Sequence, residues 1–267
     1  MENKVVFNKN WISWFIGFTD AEGNFQTFPK KRVLTSGEII RYNVGYGYHL
    51  SLHNRDSNLL REIQEKLGVG VIYEYKNKPD CRLAVNKKSD LLHLIDNVFN
   101  KYPLITKSQS IRYHLLKNGI MNKITEFKTL KEYEEYKAKS LLYITDQMNS
   151  QKSDDLFNNL SIDNWIIGFI NGEGCFYLNK NKCNFFIEHT DKQALEIIKN
   201  RLSFGPNILE RSPRERDIGK IRKTTYQLNI SSKKDVENLI MLLDSKDNIS
   251  LKGNKYIQYI DWKQYFK

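Results

Sequence analysis

The stretch "GFTDAEGNF" (Gly17–Phe25) returns as "GFINGEGCF" (Gly168–Phe176), with Gly, Phe, Glu, Gly and Phe in register at an offset of 151 residues. Each copy ends an apolar stripe. Trp11, Trp14, Phe15 and Phe18 fall at i, i+3, i+4 and i+7, and Ile162, Trp165, Ile166 and Phe169 do the same. That spacing predicts one apolar helix face, made twice. Asn10 and Ser161 stand at matching places before the stripes and are expected to be N-caps.

The repeat continues beyond the two helices. "DSNLLREIQEKLGVG" (56–70) aligns with "DKQALEIIKNRLSFG" (191–205) at offset 135, and "LAVNKKSDLLHLI" (83–95) with "LNISSKKDVENLI" (228–240) at offset 145. The changing offset places 16 extra residues around 29–44 in the first copy and 10 around 209–224 in the second. Loops tolerate such insertions. Each copy reads helix, two strands, helix, two strands, helix. In the first copy the strands are expected near 24–32, 42–53, 70–76 and 81–87, and the final helices near 107–118 and 254–265. Val44, Tyr46, Tyr48, Leu50 and Leu52 alternate with Asn43, Gly45, Gly47, His49 and Ser51, the pattern of a sheet with one packed and one open face. "TEFKTLKEYEEYKAKSLLYITDQMN" (125–149) is charged and helical in pattern, and 150–161 reads as loop. The expected organisation is a half-domain at 1–118, a helical linker at 119–161 and a second half-domain at 162–267.

Composition narrows the partners. Across 267 residues, 42 Lys and Arg against 31 Asp and Glu leave a net charge of +11. Such a balance favours a polyanion, either nucleic acid or an acidic membrane surface. Cys81, Cys175 and Cys183 show no CxxC spacing, so neither a disulfide framework nor a zinc site is expected. No apolar run approaches the ~18 residues of a membrane span. "MENKVVFNKN" carries no signal or transit pattern, so an intracellular protein is expected.

Glu22 and Glu173 end the two apolar helices. A carboxylate there meets the negative end of the helix dipole, and an apolar surround adds a desolvation cost. Gly17 and Gly168, five residues earlier, would let two helix backbones touch and bring the glutamates together, where they repel. A divalent cation relieves all three effects, and a small set of oxygen ligands suits Mg²⁺. A glycine after a helix is also an ordinary stop; the shared register of the two copies is what argues for more.

"WFIGFTDAEGNF" (14–25) and "WIIGFINGEGCF" (165–176) resemble the paired signature of the monomeric LAGLIDADG homing endonucleases. "YPLITK" (102–107) and "LKGNK" (251–255) resemble family segments after the second hairpin. The resemblance implies an α+β fold of two pseudo-symmetric αββαββα half-domains, packed through the signature helices, each with a saddle-shaped antiparallel DNA-binding sheet. It implies a site-specific double-strand DNA endonuclease acting as a monomer, intron-encoded and organellar, as in a mitochondrion. Glu22 and Glu173 would hold two or three Mg²⁺ ions, helped by the backbone carbonyls of Ala21 and Gly172. The family's earlier acid is Asp20 in one copy but Asn171 in the other. Lys107 and Lys255 are the basic residues expected near the two sites, with Lys252 a rival because it matches Lys107 at offset 145.

Alternation then nominates the residues that meet DNA. Asn24, Gln26, Phe28 and Lys30 face outward on the first strand, with Arg32 in the basic loop after it. Arg41, Asn43, His49 and Ser51 follow on the second strand, and Tyr73, Tyr75, Arg82 and Asn86 on the second hairpin. In the second copy they are Tyr177, Asn179 and Asn181, then Thr225, Gln227 and Asn229. The basic loop 211–223 adds Arg211, Arg214, Arg216, Lys220, Arg222 and Lys223 as phosphate contacts. The parity of 183–189 stays open, because "NFFIE" does not alternate. Two other readings compete. One is an RNA maturase or another nucleic-acid-binding protein without cleavage. The other is a structural metal module, which the charge disfavours.

Overall fold

A computed structural model describes residues 6–150, 157–212 and 223–266. The chain runs α1 (Lys9–Glu22), β1 (Gly23–Val33), β2 (Ile39–His53), α2 (Ser57–Leu67), β3 (Val71–Glu74), β4 (Asp80–Val85), α3 (Lys88–Leu94) and α4 (Lys107–Met121). Next come β5 (Glu126–Phe127) and α5 (Leu130–Ser150). The second repeat follows as α6 (Ile162–Glu173), β6 (Gly174–Asn179), β7 (Lys182–His189), α7 (Lys192–Arg201), β8 (Leu209–Arg211), β9 (Thr225–Ile230), α8 (Lys233–Leu243) and α9 (Gly253–Lys263). Both repeats thus carry one helix more than the alternation of apolar residues suggested, α3 and α8, placed before the final helix.

The two sheets share one topology. Their orders are β1-β2-β4-β3 and β6-β7-β9-β8, with every neighbouring pair antiparallel. The 16 extra residues of the first copy lengthen the β1–β2 hairpin. Segment 125–129, expected to be helical, instead supplies β5, which pairs with β2 at Tyr42 and Asn43; α5 begins only at Leu130.

Contacts divide the chain into two compact units. One holds Gly23–Pro103 and the described part of Lys107–Asn158; the other holds Val6–Glu22, Leu104–Thr106 and Asn159–Lys267. This is not the division of the repeat. The first signature helix belongs by contact to the second unit, because its apolar face is spent on α6.

Within the first unit, Phe25, Tyr48, Phe99 and Tyr113 form one aromatic cluster, with ring centroids 4.9–5.6 Å apart. Within the second unit, Phe176 packs on Phe185, Tyr259 and Trp262 at 5.1–5.5 Å. The parity of β7 follows from that core. Phe185 and Ile187 are fully buried, so Phe186 takes the other face, opposite Cys175 and Asn229.

Also within the second unit, α1 and α6 meet backbone to backbone. A Cβ on Gly17 would collide with the Trp165 carbonyl, and a Cβ on Gly168 with the Trp14 carbonyl. Trp14 stacks on Phe18 and Trp165 on Phe169, at 5.0 and 5.2 Å, flanking the crossing. Ser161 caps α6, its side chain accepting from Asn164 N. The cap of α1 is not Asn10 but Asn8, whose Oδ1 accepts from the amides of Asn10 and Trp11 at 2.9 and 3.1 Å. The helix starts two residues earlier than its counterpart, and the Asn10 side chain donates to the Asp247 carbonyl instead.

Gly17→Val or Gly168→Val is expected to cost about 3 kcal/mol, the upper range for overpacking, because the obstacle is backbone rather than a movable side chain. Thermal melting checks this; a change within error in either variant would show that the helices can separate without loss.

Candidate metal and nucleic-acid site

Glu22 is the last residue of α1 and Glu173 the last of α6, so the crossing that joins the helices also brings their ends together. Gly172 lies under Glu22: a Cβ there would sit 2.9 Å from Glu22 Cγ and 3.5 Å from its Oε1. The missing side chain lets Gly172 pack against the Ala21 methyl and the Glu22 side chain.

The electrostatics are strained. Burial raises the Glu173 pKa from 4.5 to about 7, and the negative charges of Glu22 and Glu188 add to the rise. Burial likewise raises Glu22 above its ordinary value. The Lys255 ammonium opposes both shifts. Its Nζ donates to the Gly174 carbonyl at 2.5 Å, directly after Glu173 in the chain. The rival Lys252 places its ammonium over the Trp14 ring at 5.6 Å.

A divalent cation fits this donor set. Two half-buried carboxylates are penalised for their charge, and one lysine only partly offsets it. Among the described residues no cluster of three or more His, Cys, Asp or Glu side chains could hold a metal ion. A cation here must therefore complete its shell from backbone, water or a ligand, as Mg²⁺ commonly does.

Asp20 and Asn171 have a different task. Asp20 is fully buried and accepts from Ile105 N, Thr106 N, Thr106 Oγ1 and Trp165 Nε1 at 2.7–3.0 Å. Burial still lifts its pKa to about 6 against those bonds. Asn171 Oδ1 accepts from Lys252 N at 2.6 Å. Both side chains clamp the segment before a final helix, α4 or α9. The clamp needs an acceptor, which Asp and Asn both supply, so the difference between the copies does not alter the glutamate pair.

This clamp also corrects the alignment. Asp20 holds Thr106 and Asn171 holds Lys252, so the offset at the final helices is 146, not 145. Lys107 then matches Gly253, and the counterpart of Lys255 is Gln109. Gln109 Nε2 donates to the Gly23 carbonyl at 2.5 Å, as Lys255 does to Gly174. Gln109 is 5% exposed, and its Oε1 is buried without a hydrogen-bond partner among the described residues. Lys107 lies in the first unit with its Nζ on Asn149 Oδ1 at 2.7 Å. Sequence reasoning passed over Gln109 because it weighed only basic residues; the motif one place away concealed it.

The nominated sheet residues fall largely on open faces. In the first unit Asn24 is exposed, Gln26 is half-buried, and Phe28 covers Gly45 with Lys30 over its ring at 5.2 Å. Arg32 stands opposite Arg41 in the ladder. Arg41 is engaged by Glu126 at 2.6 Å, and Asn43 pairs with Lys30. Ser51 Oγ accepts from Arg82 Nε at 3.0 Å, and Arg82 in turn lies 5.8 Å from the Tyr75 ring, with Tyr73 exposed beside it. In the second unit Tyr177 and Asn179 are exposed on β6. Asn181 is not on the strand: it forms the β6–β7 turn with Lys180, both at positive φ. Gln227 Oε1 accepts two bonds from Arg211 at 2.8 and 3.1 Å, Thr225 donates to Glu188, and Asn229 is half-buried. Lys223 is exposed ahead of β9. Arg214, Arg216, Lys220 and Arg222 lie outside the described residues.

Two αββαββα-type repeats, each opening on a helix that ends in Glu-Gly, define a tandem α+β protein with an acidic centre on its paired helices. The chain belongs to the LAGLIDADG endonuclease family, which it matches over residues 15–120 and again over 166–266. It is 25% identical over 260 residues to "Probable intron-encoded endonuclease Cox1-I1b" of Schizosaccharomyces pombe, covering 96% of this chain and 64% of that protein. The chain thus spans less than two thirds of the length of this curated relative. The fold is similar to that of the I-LtrWI LAGLIDADG homing endonuclease bound to target DNA, with TM-score 0.67, 24% identity, and 97% and 90% of the two chains covered. It is also similar to that of I-SmaMI bound to an uncleaved DNA target in the presence of calcium ions, with TM-score 0.64, 21% identity, and 97% and 90% covered.

The raised carboxyls make stability depend on pH. A folded pKa above the unfolded one contributes stability that is present below about 4.5 and is lost as pH rises through about 7 for Glu173. Metal-free protein is expected to melt several degrees lower at about pH 8 than at about pH 5, with Mg²⁺ restoring part of the loss at the higher pH. Glu173→Gln should remove its share of the slope and the Mg²⁺ response, while the Asp20 share persists in both proteins. Identical pH profiles for wild type and variant would show that Glu173 titrates normally.

Proposed function

We propose that this chain is a site-specific double-strand DNA endonuclease that hydrolyses phosphodiesters with Mg²⁺ at a long, nearly non-palindromic site. The observation that carries this reading is the glutamate pair: two partly buried, mutually repelling carboxylates held at the ends of two touching helices. Such a pair is costly to fold, and divalent cations would offset that cost.

Glu22 and Glu173, with the Ala21 and Gly172 carbonyls, would hold the ions, two or three in number. When bound, such ions neutralise charge building on a phosphate and make water a stronger nucleophile. The chain's own residues do the rest. Lys255 puts a fixed positive charge beside both carboxylates, where it would attract the scissile phosphate. Gln109 supplies the same anchor to the first repeat without the charge. The open faces of the two sheets would read base edges through Asn24, Gln26, Asn229 and their neighbours. Arg211, Lys223 and the basic residues between them would grip phosphates. The intron-encoded relative and "Uncharacterized mitochondrial protein RF1" of Saccharomyces cerevisiae, 27% identical over 198 residues, support an organellar, intron-borne setting.

Incubating the protein with a randomised duplex library and Mg²⁺, then sequencing the new ends, tests the reading; no enriched cut site would overturn it. Glu22→Gln and Glu173→Gln should each lower cleavage of the selected duplex by about 100-fold or more while preserving its binding in a gel shift. Cutting of both strands at the wild-type rate would remove that glutamate from the centre. One chain carries both repeats, so sedimentation should show one polypeptide per duplex; two would contradict the monomer.

A further inference from the structure

His49 lies on β2 with its ring on the polar side of the first sheet, yet it is only 8% exposed. Its Nε2 meets Asn86 Oδ1 at 2.9 Å. An amide oxygen can only accept, so Nε2 carries the hydrogen and donates it. Burial, ahead of the nearby Arg82 charge, lowers the His49 pKa from 6.5, so the ring is neutral near pH 7. Nδ1 then bears a lone pair, and it is buried without a hydrogen-bond partner among the described residues.

Keeping an orphaned nitrogen buried is unfavourable. A Cβ on Gly47 would stand 2.5 Å from Asn86 Oδ1 and 3.1 Å from His49 Nε2. The ring and the amide therefore share a space that any larger residue at position 47 would fill. Asn86 follows β4 and is exposed. Its oxygen is occupied by His49, and its amide nitrogen has no partner among the described residues.

Resting on the DNA-cleaving reading above, we propose that His49 locks the Asn86 amide with its oxygen turned inward and its two N–H donors turned to DNA, and that the pair selects guanine at one position of the target. An unlocked asparagine pairs with adenine by donating to N7 and accepting from the N6 amino group. With one lone pair of the oxygen engaged and the amide fixed by His49, the accepting half of that pairing is weakened. Guanine presents N7 and O6, two acceptors side by side, to the remaining donors. Cytosine presents a donor and is repelled.

Selection from a randomised duplex library with wild type, His49→Gln, His49→Leu and Asn86→Asp tests the lock. Wild type should prefer guanine over adenine at one position by roughly fivefold or more. His49→Gln can still donate to Oδ1 and should keep that preference. His49→Leu frees the amide and should move the same position to adenine. Asn86→Asp leaves only acceptors and should move it to cytosine. Melting curves verify folding, and if His49→Leu does not fold, Asn86→Asp decides alone. An unchanged preference at every position in Asn86→Asp, or adenine in the wild type at the position that variant alters, would overturn the proposal. A wild-type protein that enriches no sequence at all would instead defeat the DNA reading itself.

Discussion

The contact on which the rest depends is between two peptide backbones. Gly17 and Gly168 remove the only atoms that would keep α1 and α6 apart, and each faces a carbonyl of the partner helix's tryptophan. Close approach is favourable for the large apolar faces around it, since Trp14, Phe15, Phe18, Trp165 and Phe169 are buried almost completely. The same approach is unfavourable for whatever charge stands at the helix ends. Folding energy from the aromatic faces thus holds two glutamates where neither would settle alone. The glutamate pair is thus positioned by apolar packing rather than by any attraction of its own.

How much of this was legible in the sequence depends on whether a feature is local. The helix faces, the alternation of β2 and the repeated glutamates are periodic or self-similar, so one sequence suffices to see them. Asn8 displaced Asn10 as a cap because the start of α1 is set by where the chain meets Asp247, far away in sequence. Asn181 left the strand because the β6–β7 turn takes two residues at positive φ, which alternation cannot register. β5 was hidden inside a charged, helical-looking stretch because its pairing partner is an edge of β2 more than 80 residues earlier. The assignment of α1 to the second unit was likewise out of reach. Sequence order places it in the first repeat, and only the contact with α6 moves it.

The error of one residue at the final helices is instructive about what repeats preserve. Lys107 and Lys252 are identical and fall at the offset of the preceding segment, so residue identity favoured them. The backbone clamps made by Asp20 and Asn171 define a different correspondence. Side-chain identity can drift between repeats, but the segment that enters a helix must still be held by an acceptor from the signature helix. The side chains follow the clamp: Gln109 and Lys255 make the same bond to the residue after the signature glutamate.

The two repeats are therefore equal in architecture and unequal in charge. Lys255 opposes the rise in pKa of both glutamates, whereas Gln109, at the matching place, is neutral and brings a buried oxygen without a partner among the described residues. Glu188 adds negative charge on the side of Glu173. At Glu173, burial first and then the Glu22 and Glu188 charges raise the pKa against the opposing lysine. An exact two-fold centre would have to balance these charges separately in each half. Divergence of the repeats lets the single Lys255 charge act on both glutamates while each sheet keeps its own set of outward polar residues.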